Sequence, residues 1–311
     1  MNGILKLGTR GSALALWQAT WTRGQIETRW PGLQVELVPI KTTGDKILDV
    51  PLAQIGGKGL FTKEIDEALL DGRIDVAVHS IKDVPFQLPD GIDFAAVPER
   101  EDPRDVLVSN GPKLEELPAG ASIGTSSLRR QVQLRHRFPS LNLATLRGNV
   151  DTRLRKLDAG EFDGIILAIA GLKRLGHAAR VTQVLADDIM MPAVGQGALG
   201  IVCRSGDLAT RRLLEPLDHA PTRTSVASER GLLRALGGSC QVPIAGQARI
   251  AGDRLTIKGF IASLDGSRVI REELTGSPDR APELGMALGQ RLLDMGAGEI
   301  LAEIARYGAG R

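Results

Sequence analysis

The chain has 311 residues, 42% hydrophobic, 24% charged and only 3% aromatic, with 39 basic against 37 acidic side chains, a balance that suits a soluble globular protein of two or three domains. Few aromatics and a net charge of +2 argue against a base-stacking nucleic-acid module, a carbohydrate-stacking groove and a nucleic-acid coat. No apolar run approaches the roughly 18 residues of a membrane span, no secretory leader opens the chain, and Cys203 and Cys240 stand apart with no CxxC or Cys/His cluster, so no membrane partner, disulfide scaffold or metal site is expected and the setting is read as cytoplasmic.

Short apolar runs alternating with amphipathic segments predict a parallel α/β fold over roughly the first two hundred residues. Ile4 to Leu7 reads as a strand, Ser12 as the cap of a helix reaching Arg29, and Val35 to Ile40 as a second strand. Gly59 to Leu70 reads as a helix, and Asp75 to His79 as a third strand ending at Ser80-Ile81-Lys82-Asp83. The polar segment from Pro98 to Arg104 marks a crossover. A second set follows: Asp105 to Ser109, Ala121 to Gly124, a helix from Ser126, Leu143 to Leu146, a helix from Asn149, and Gly164 to Ala170. Ala198 to Cys203 is a buried strand that returns to the first domain, with Cys203 as a small core hydrophobe. Beyond Leu217 the strands Ala245 to Ile250, Leu255 to Ala262 and Arg268 to Leu274 pair antiparallel across short turns. A helix from Pro282 to Arg306, softened at Gly296 and Gly298, follows.

This organisation is α/β, with two hinged periplasmic-binding-protein-like α/β domains plus a small α+β C-terminal domain carrying a three-stranded antiparallel sheet. The boundaries read as 1–98 with 198–216, 103–193, and 220–311.

Charge is focused in one place. Between Gly124 and Lys156 stand eight basic residues, Arg129, Arg130, Arg135, Arg137, Arg147, Arg153, Arg155 and Lys156, against Asp151 alone. That is +7 in a chain of +2, which leaves the remainder near −5 and points to an anionic ligand. Thr125-Ser126-Ser127-Leu128-Arg129-Arg130 sets hydroxyls and two guanidiniums at a helix start, and Arg147-Gly148-Asn149 with Arg153 repeats the arrangement after a Gly-Asn turn. Helix N-termini and planar guanidiniums both suit carboxylates or phosphates. An exposed basic helix face with no ligand is the competing reading.

Cys240, in the glycine-rich run Leu236-Gly237-Gly238-Ser239-Cys240, reads either as an inert thiol or as a nucleophile for a strongly electrophilic carbon. Asp83, after a strand, is either a turn former or a carboxylate able to exchange protons or stabilise a cation. Gly195-Gln196-Gly197-Ala198-Leu199-Gly200 fits GxGxxG but precedes a strand, so dinucleotide binding is rejected. Gly56-Gly57-Lys58-Gly59 lacks the hydroxyl residue of a Walker loop and reads as a loop carrying Lys58 over an anion.

These residues resemble the porphobilinogen deaminase (hydroxymethylbilane synthase) family. The matching segments are Gly8-Thr9-Arg10 with Ser12 and Leu14 to Ala19, Gly56 to Phe61, His79 to Pro85, Arg100 to Asp105, Gly124 to Arg130, Arg147 to Leu154, Pro192 to Gly197 and Cys240 to Ile244, in order over nearly the whole chain. The resemblance implies a monomeric transferase that condenses four porphobilinogen molecules into hydroxymethylbilane with release of ammonia, in tetrapyrrole (haem and chlorophyll) biosynthesis. It implies a dipyrromethane cofactor held through a thioether by Cys240. Asp83 is implied as the catalytic aspartate, stabilising a positively charged azafulvene-type species. Arg10, Ser12, Lys58, Lys82, Thr125, Ser127, Arg129, Arg130, Arg147, Arg153 and Arg174 match positions that grip the acetate and propionate groups; Ser80, Ser126, Asn149 and Gln196, inside the matching segments, are added to that set. Gln54 stands where many relatives have lysine, and Gly11 where relatives have a larger polar residue. A non-catalytic two-domain anion receptor is the alternative from another class. A nucleic-acid binder is the third, weakened by the few aromatics.

Overall fold

The computed structural model describes residues 4–46, 59–238 and 242–309. They form two compact units, one comprising residues 4–46, 59–101 and 198–223, the other residues 102–197, 224–238 and 242–309.

The first unit opens with β1 (Ile4–Thr9), α1 (Ala13–Arg29), β2 (Gln34–Pro39), α2 (Thr43–Lys46), α3 (Lys63–Leu70), β3 (Val76–Ser80) and β4 (Ile92–Ala96). Helix α1 starts where the chain turns off β1 because Ser12, in extended backbone, accepts the Ala15 N–H on its hydroxyl at 3.3 Å. Helix α3 begins later than Gly59, since residues 59–62 close a turn in which Gly59 has φ 79° and its carbonyl accepts the Thr62 N–H at 3.0 Å.

The chain then supplies β5 (Asp105–Ser109), β6 (Ser122–Gly124), α4 (Leu128–Arg137), β7 (Asn142–Ala144), α5 (Val150–Asp158), β8 (Gly164–Ala168), α6 (Ile169–Arg174) and β9 (Gln183–Val184) to the second unit. It returns to the first unit as β10 (Leu199–Arg204) and α7 (Leu208–Leu214).

Two five-stranded sheets with the same connectivity result, β2-β1-β3-β10-β4 and β7-β6-β8-β5-β9. In each, four strands run in the same direction, and one strand drawn from elsewhere in the chain, β10 or β5, inserts antiparallel between the third and the fourth. The sheets are therefore mixed and not wholly parallel. Leu5, Leu7, Val76, Val78, Ile201 and the fully buried Cys203 pack the first sheet's core with Ile26 of α1. Val106, Val108, Ile165 and Leu167 do so for the second, with Leu154 and Leu157 of α5.

The C-terminal part contains α8 (Ala220–Ala235), β11 (Ile244–Ala251), β12 (Arg254–Ala262), β13 (Val269–Gly276), α9 (Ala281–Leu292) and α10 (Gly298–Ala309). Its sheet is antiparallel in the order β11-β12-β13. The expected long terminal helix is broken at Gly296, which takes φ 101°, a left-handed conformation that glycine adopts without steric cost. This sheet shares the second unit with β5 to β9: Val132 of α4 and Met191 pack against Ala245, Phe260 and Ala262. Arg135 donates to the Leu264 carbonyl at 2.6 Å, in the turn joining β12 to β13.

Candidate active site

In the first unit the sequence-derived residues collect where parallel strands end. β1 and β3 are neighbours, with Leu7 opposite Val76 and Gly8 opposite Ala77, so Arg10 and Ser12 after β1 follow a strand adjacent to the one that ends at Ser80 and leads into Lys82 and Asp83. This is the point at which strand order reverses, the usual ligand position in open α/β sheets. Gln18 of α1 donates to the Ser80 hydroxyl at 2.9 Å and ties helix to strand end. Residues Ile81–Asp83 form a single 3₁₀ turn, held by the Ile81 N–H on the Ala198 carbonyl and the Val84 N–H on Ile81. Asp83 is partly exposed, and its carboxylate makes no hydrogen bond or ion pair among the described residues. The guanidinium of Arg10 lies 4.2 Å from the centre of the Phe61 ring, a cation–π contact that holds it over the start of α3.

Two titratable groups lie deeper. Burial, then the positive charge of Arg10, brings His79 down to about 4, so its imidazole is neutral at neutral pH, and its Nε2 has no hydrogen-bond partner among the described residues. Burial raises the Asp66 carboxyl of α3 to about 6. The signs oppose. His79 contributes stability that is full above its ordinary 6.5 and lost as pH falls toward 4, because the unfolded chain takes up the proton first. The Asp66 contribution is full below 3.8 and lost as pH rises through 6. Asp66→Asn is therefore expected to raise Tm at pH 7 by on the order of 2 °C, with the gain gone at pH 4; thermal melts at the two pH values check this, and an equal gain at both would refute it.

In the second unit the equivalent strand ends carry the arginines. β6 lies between β7 and β8, so Thr125–Arg130, Arg147–Arg153 and Arg174 follow three adjacent parallel strands. Gly148 takes φ 112°, and its carbonyl accepts the Arg153 Nε–H at 2.8 Å. Asn149 caps α5, its side-chain oxygen accepting the Thr152 N–H at 2.8 Å. Arg174 Nη2 donates to the Gly197 carbonyl at 2.7 Å. Ser127 occupies the N-cap of α4, but its hydroxyl does not close on that helix.

Several expectations are narrowed by these contacts. The Ser126 hydroxyl donates to the Leu146 carbonyl at 2.6 Å, and the fully buried Thr125 oxygen accepts the Ser127 N–H, so both staple the loops. The Asn149 carbonyl oxygen is spent on its cap, which leaves only its amide N–H groups for a ligand. Arg129 and Arg130 do not stand open at the helix start: both are buried and paired to Asp105, at 2.6 and 2.7 Å. Gln196, also buried, donates to Asp105 and to the Pro103 carbonyl. Of the remaining basic stretch, Arg137 and Arg155 are exposed, whereas Arg147 and Arg153 are half-buried. Gln54, Lys58 and Cys240 lie outside the described residues.

Two groups escaped sequence reasoning. Asp105 is one; its signals were a carboxylate opening an otherwise apolar strand and its place at the end of the matching segment Arg100 to Asp105. Glu229 of α8 is the other. Fully buried, it accepts the Gly195 N–H at 2.6 Å and the Ala248 N–H at 2.8 Å, binding the loop before β10 to β11.

The model of the family described as porphobilinogen deaminase, dipyromethane cofactor binding domain, matches residues 5–212, and that of the porphobilinogen deaminase C-terminal domain matches 224–294. The chain belongs to the porphobilinogen deaminase family. A porphobilinogen deaminase of Geobacter sulfurreducens is 54% identical over 300 residues, covering 96% of this chain and 94% of that one. A porphobilinogen deaminase of Syntrophotalea carbinolica is 55% identical over 304 residues, covering 97% and 96%. Among solved structures, the Bordetella pertussis BvgS VFT2 domain aligns over 68% of this chain and 85% of its own, with TM-score 0.41 and 13% identity. Among the described residues no helix is long and apolar enough to cross a membrane.

Proposed function

We propose that this porphobilinogen deaminase family member is the transferase that joins four porphobilinogen molecules into hydroxymethylbilane and releases ammonia, building the product on a dipyrromethane group held through a thioether by Cys240. The observation that carries this reading is the match of residues 5–212 to the family's cofactor-binding domain. The donor set fits such a group. Each pyrrole bears an acetate and a propionate, and Ser127, Arg129, Arg147, Arg153 and Arg174 lie in the loops and helices that follow β6, β7 and β8, offering hydroxyl or guanidinium donors to carboxylates. Bound at Cys240, the group would supply the nucleophilic terminal pyrrole carbon to which the first unit is added, and each later unit would be added to the one before it.

The chain's own residues then divide the work. Arg10, Ser12 and Lys82 bind and orient carboxylates beside β1 and β3. An Asp83 oxygen holds the proton destined for the departing amine, and the ionised carboxylate offsets the positive charge that grows on the substrate methylene as its C–N bond breaks. A non-catalytic anion receptor would need neither Cys240 nor a carboxylate that has no partner among the described residues.

Intact mass of freshly purified protein tests the reading. An increment of two pyrrole units is expected on the native chain and none on Cys240→Ser, with activity lost in step; an unmodified native chain with full activity would overturn it. The same reading has the enzyme working as a cytoplasmic monomer, and a dimer in sedimentation would overturn that part of it.

A further inference from the structure

Asp105 opens β5, a strand whose next residues are Val106, Leu107 and Val108, and it is wholly buried. A carboxylate in such a place is costly unless it is ion-paired and fully hydrogen-bonded. Here it is both. Its Oδ2 accepts from Arg129 Nη1 at 2.6 Å, and its Oδ1 from Arg130 Nε at 3.0 Å, Arg130 Nη2 at 2.7 Å and Gln196 Nε2 at 3.0 Å. Burial pushes the carboxyl up, but the two guanidiniums outweigh it and hold it at about 2.

The two arginines are used unequally. Arg130 commits its side-on edge, Nε and Nη2, to Asp105 and its Nη1 to the Ile166 carbonyl at 2.8 Å. Arg129 spends only Nη1, on Asp105 and on the Met191 carbonyl at 2.7 Å. Its Nε and Nη2, the edge that binds a carboxylate with two parallel hydrogen bonds, have no partner among the described residues. One carboxylate against two guanidiniums also leaves the cluster a single net positive charge.

We infer that Asp105 is a positioning residue: it takes up Arg130 and fixes Arg129 so that the Nε–Nη2 edge of Arg129 is presented to a carboxylate of the pyrrole ligand. The inference rests on the proposed function for the identity of that ligand. Gln196 belongs to the same device, since its amide holds Asp105 Oδ1 and the Pro103 carbonyl together. A positioning role predicts that Asp105 acts only through Arg129, which a structural role does not.

The test is a double-mutant cycle on the purified holoenzyme with Asp105→Asn, Arg129→Gln and both together. Each single change is expected to raise KM for porphobilinogen about tenfold or more and to lower the fraction of chains carrying the two-pyrrole mass increment, and the double variant should match Arg129→Gln. Multiplying effects, or a folded Asp105→Asn with native KM and a full increment, would overturn the inference. Should Asp105→Asn not fold, Gln196→Met decides: a KM raised about threefold supports positioning, and an unchanged KM refutes it. If the native chain carries no increment at all, it is the proposed function that fails, whatever the cycle gives.

Discussion

Asp83→Asn is expected to lower kcat by about 10²-fold or more while leaving Tm within about 1 °C of the native value. The two halves of this expectation have separate physical grounds. The 3₁₀ turn that carries Asp83 is closed by backbone hydrogen bonds from Ile81 and Val84, and the Asp83 side chain makes no bond among the described residues, so the isosteric amide has nothing structural to break. Chemically, the amide can neither hold the proton for the leaving amine nor offer negative charge to the cation, and both losses fall on the transition state. Burst measurements of ammonia release at saturating porphobilinogen, with melts run alongside, separate the two. A kcat within threefold of native removes Asp83 from the mechanism, and a large drop in Tm assigns it a structural role instead. Asp83→Glu keeps the charge and should retain more turnover than the amide.

Local signals carried much of this reading. Ser12 and Asn149 announced their helices because a side-chain oxygen beside an amphipathic run satisfies an orphan N–H, and both make that bond. The turns before β12 and β13 were visible for a similar reason, since Gly252 and Gly266 take φ near 61° and 75°. What stayed hidden depended on partners distant in sequence. Nothing within Leu199–Arg204 says that it runs antiparallel between β3 and β4 and not parallel beside them. The arginine stretch was legible as charge, but not as two populations, because Asp105 lies well upstream of Arg129 and Arg130. Charge counting treats the pair as open; burial against one carboxylate shows that mainly Arg129 keeps donors to spare. Asp83 stood out because ligand groups in open α/β sheets gather at the carboxyl ends of strands, the arginines beyond β6 and β7 stood out by charge at helix starts, and Arg10, Ser12 and Arg174 entered only through the family resemblance.

Gly285→Ala illustrates the opposite limit, and it is expected to destabilise the protein by about 3 kcal/mol or more, lowering Tm by several degrees. By helix propensity alone the change should help, since glycine in a helix interior costs about 1 kcal/mol relative to alanine. The crossing of α8 and α9 reverses the sign. A Cβ on Gly285 would stand 1.8 Å from the Ser228 carbonyl oxygen and 3.0 Å from the Leu232 nitrogen, and one on Gly231 would stand 2.4 Å from the Pro282 oxygen. These neighbours are backbone, so relief requires moving one helix off the other, away from the core of Leu232, Leu288 and Leu292. Helix α8 also carries Glu229 and leads directly into the segment containing Cys240, so separating the helices should lower the covalent pyrrole content along with stability. Gly298→Ala is the control. It opens α10 with helical angles, and its Cβ would meet nothing nearer than Leu293 at 3.9 Å, so propensity should win there and Tm should hold or rise. Denaturant melts of the two variants decide the matter: if both shift alike, close backbone contact is not what glycine supplies at the α8–α9 crossing.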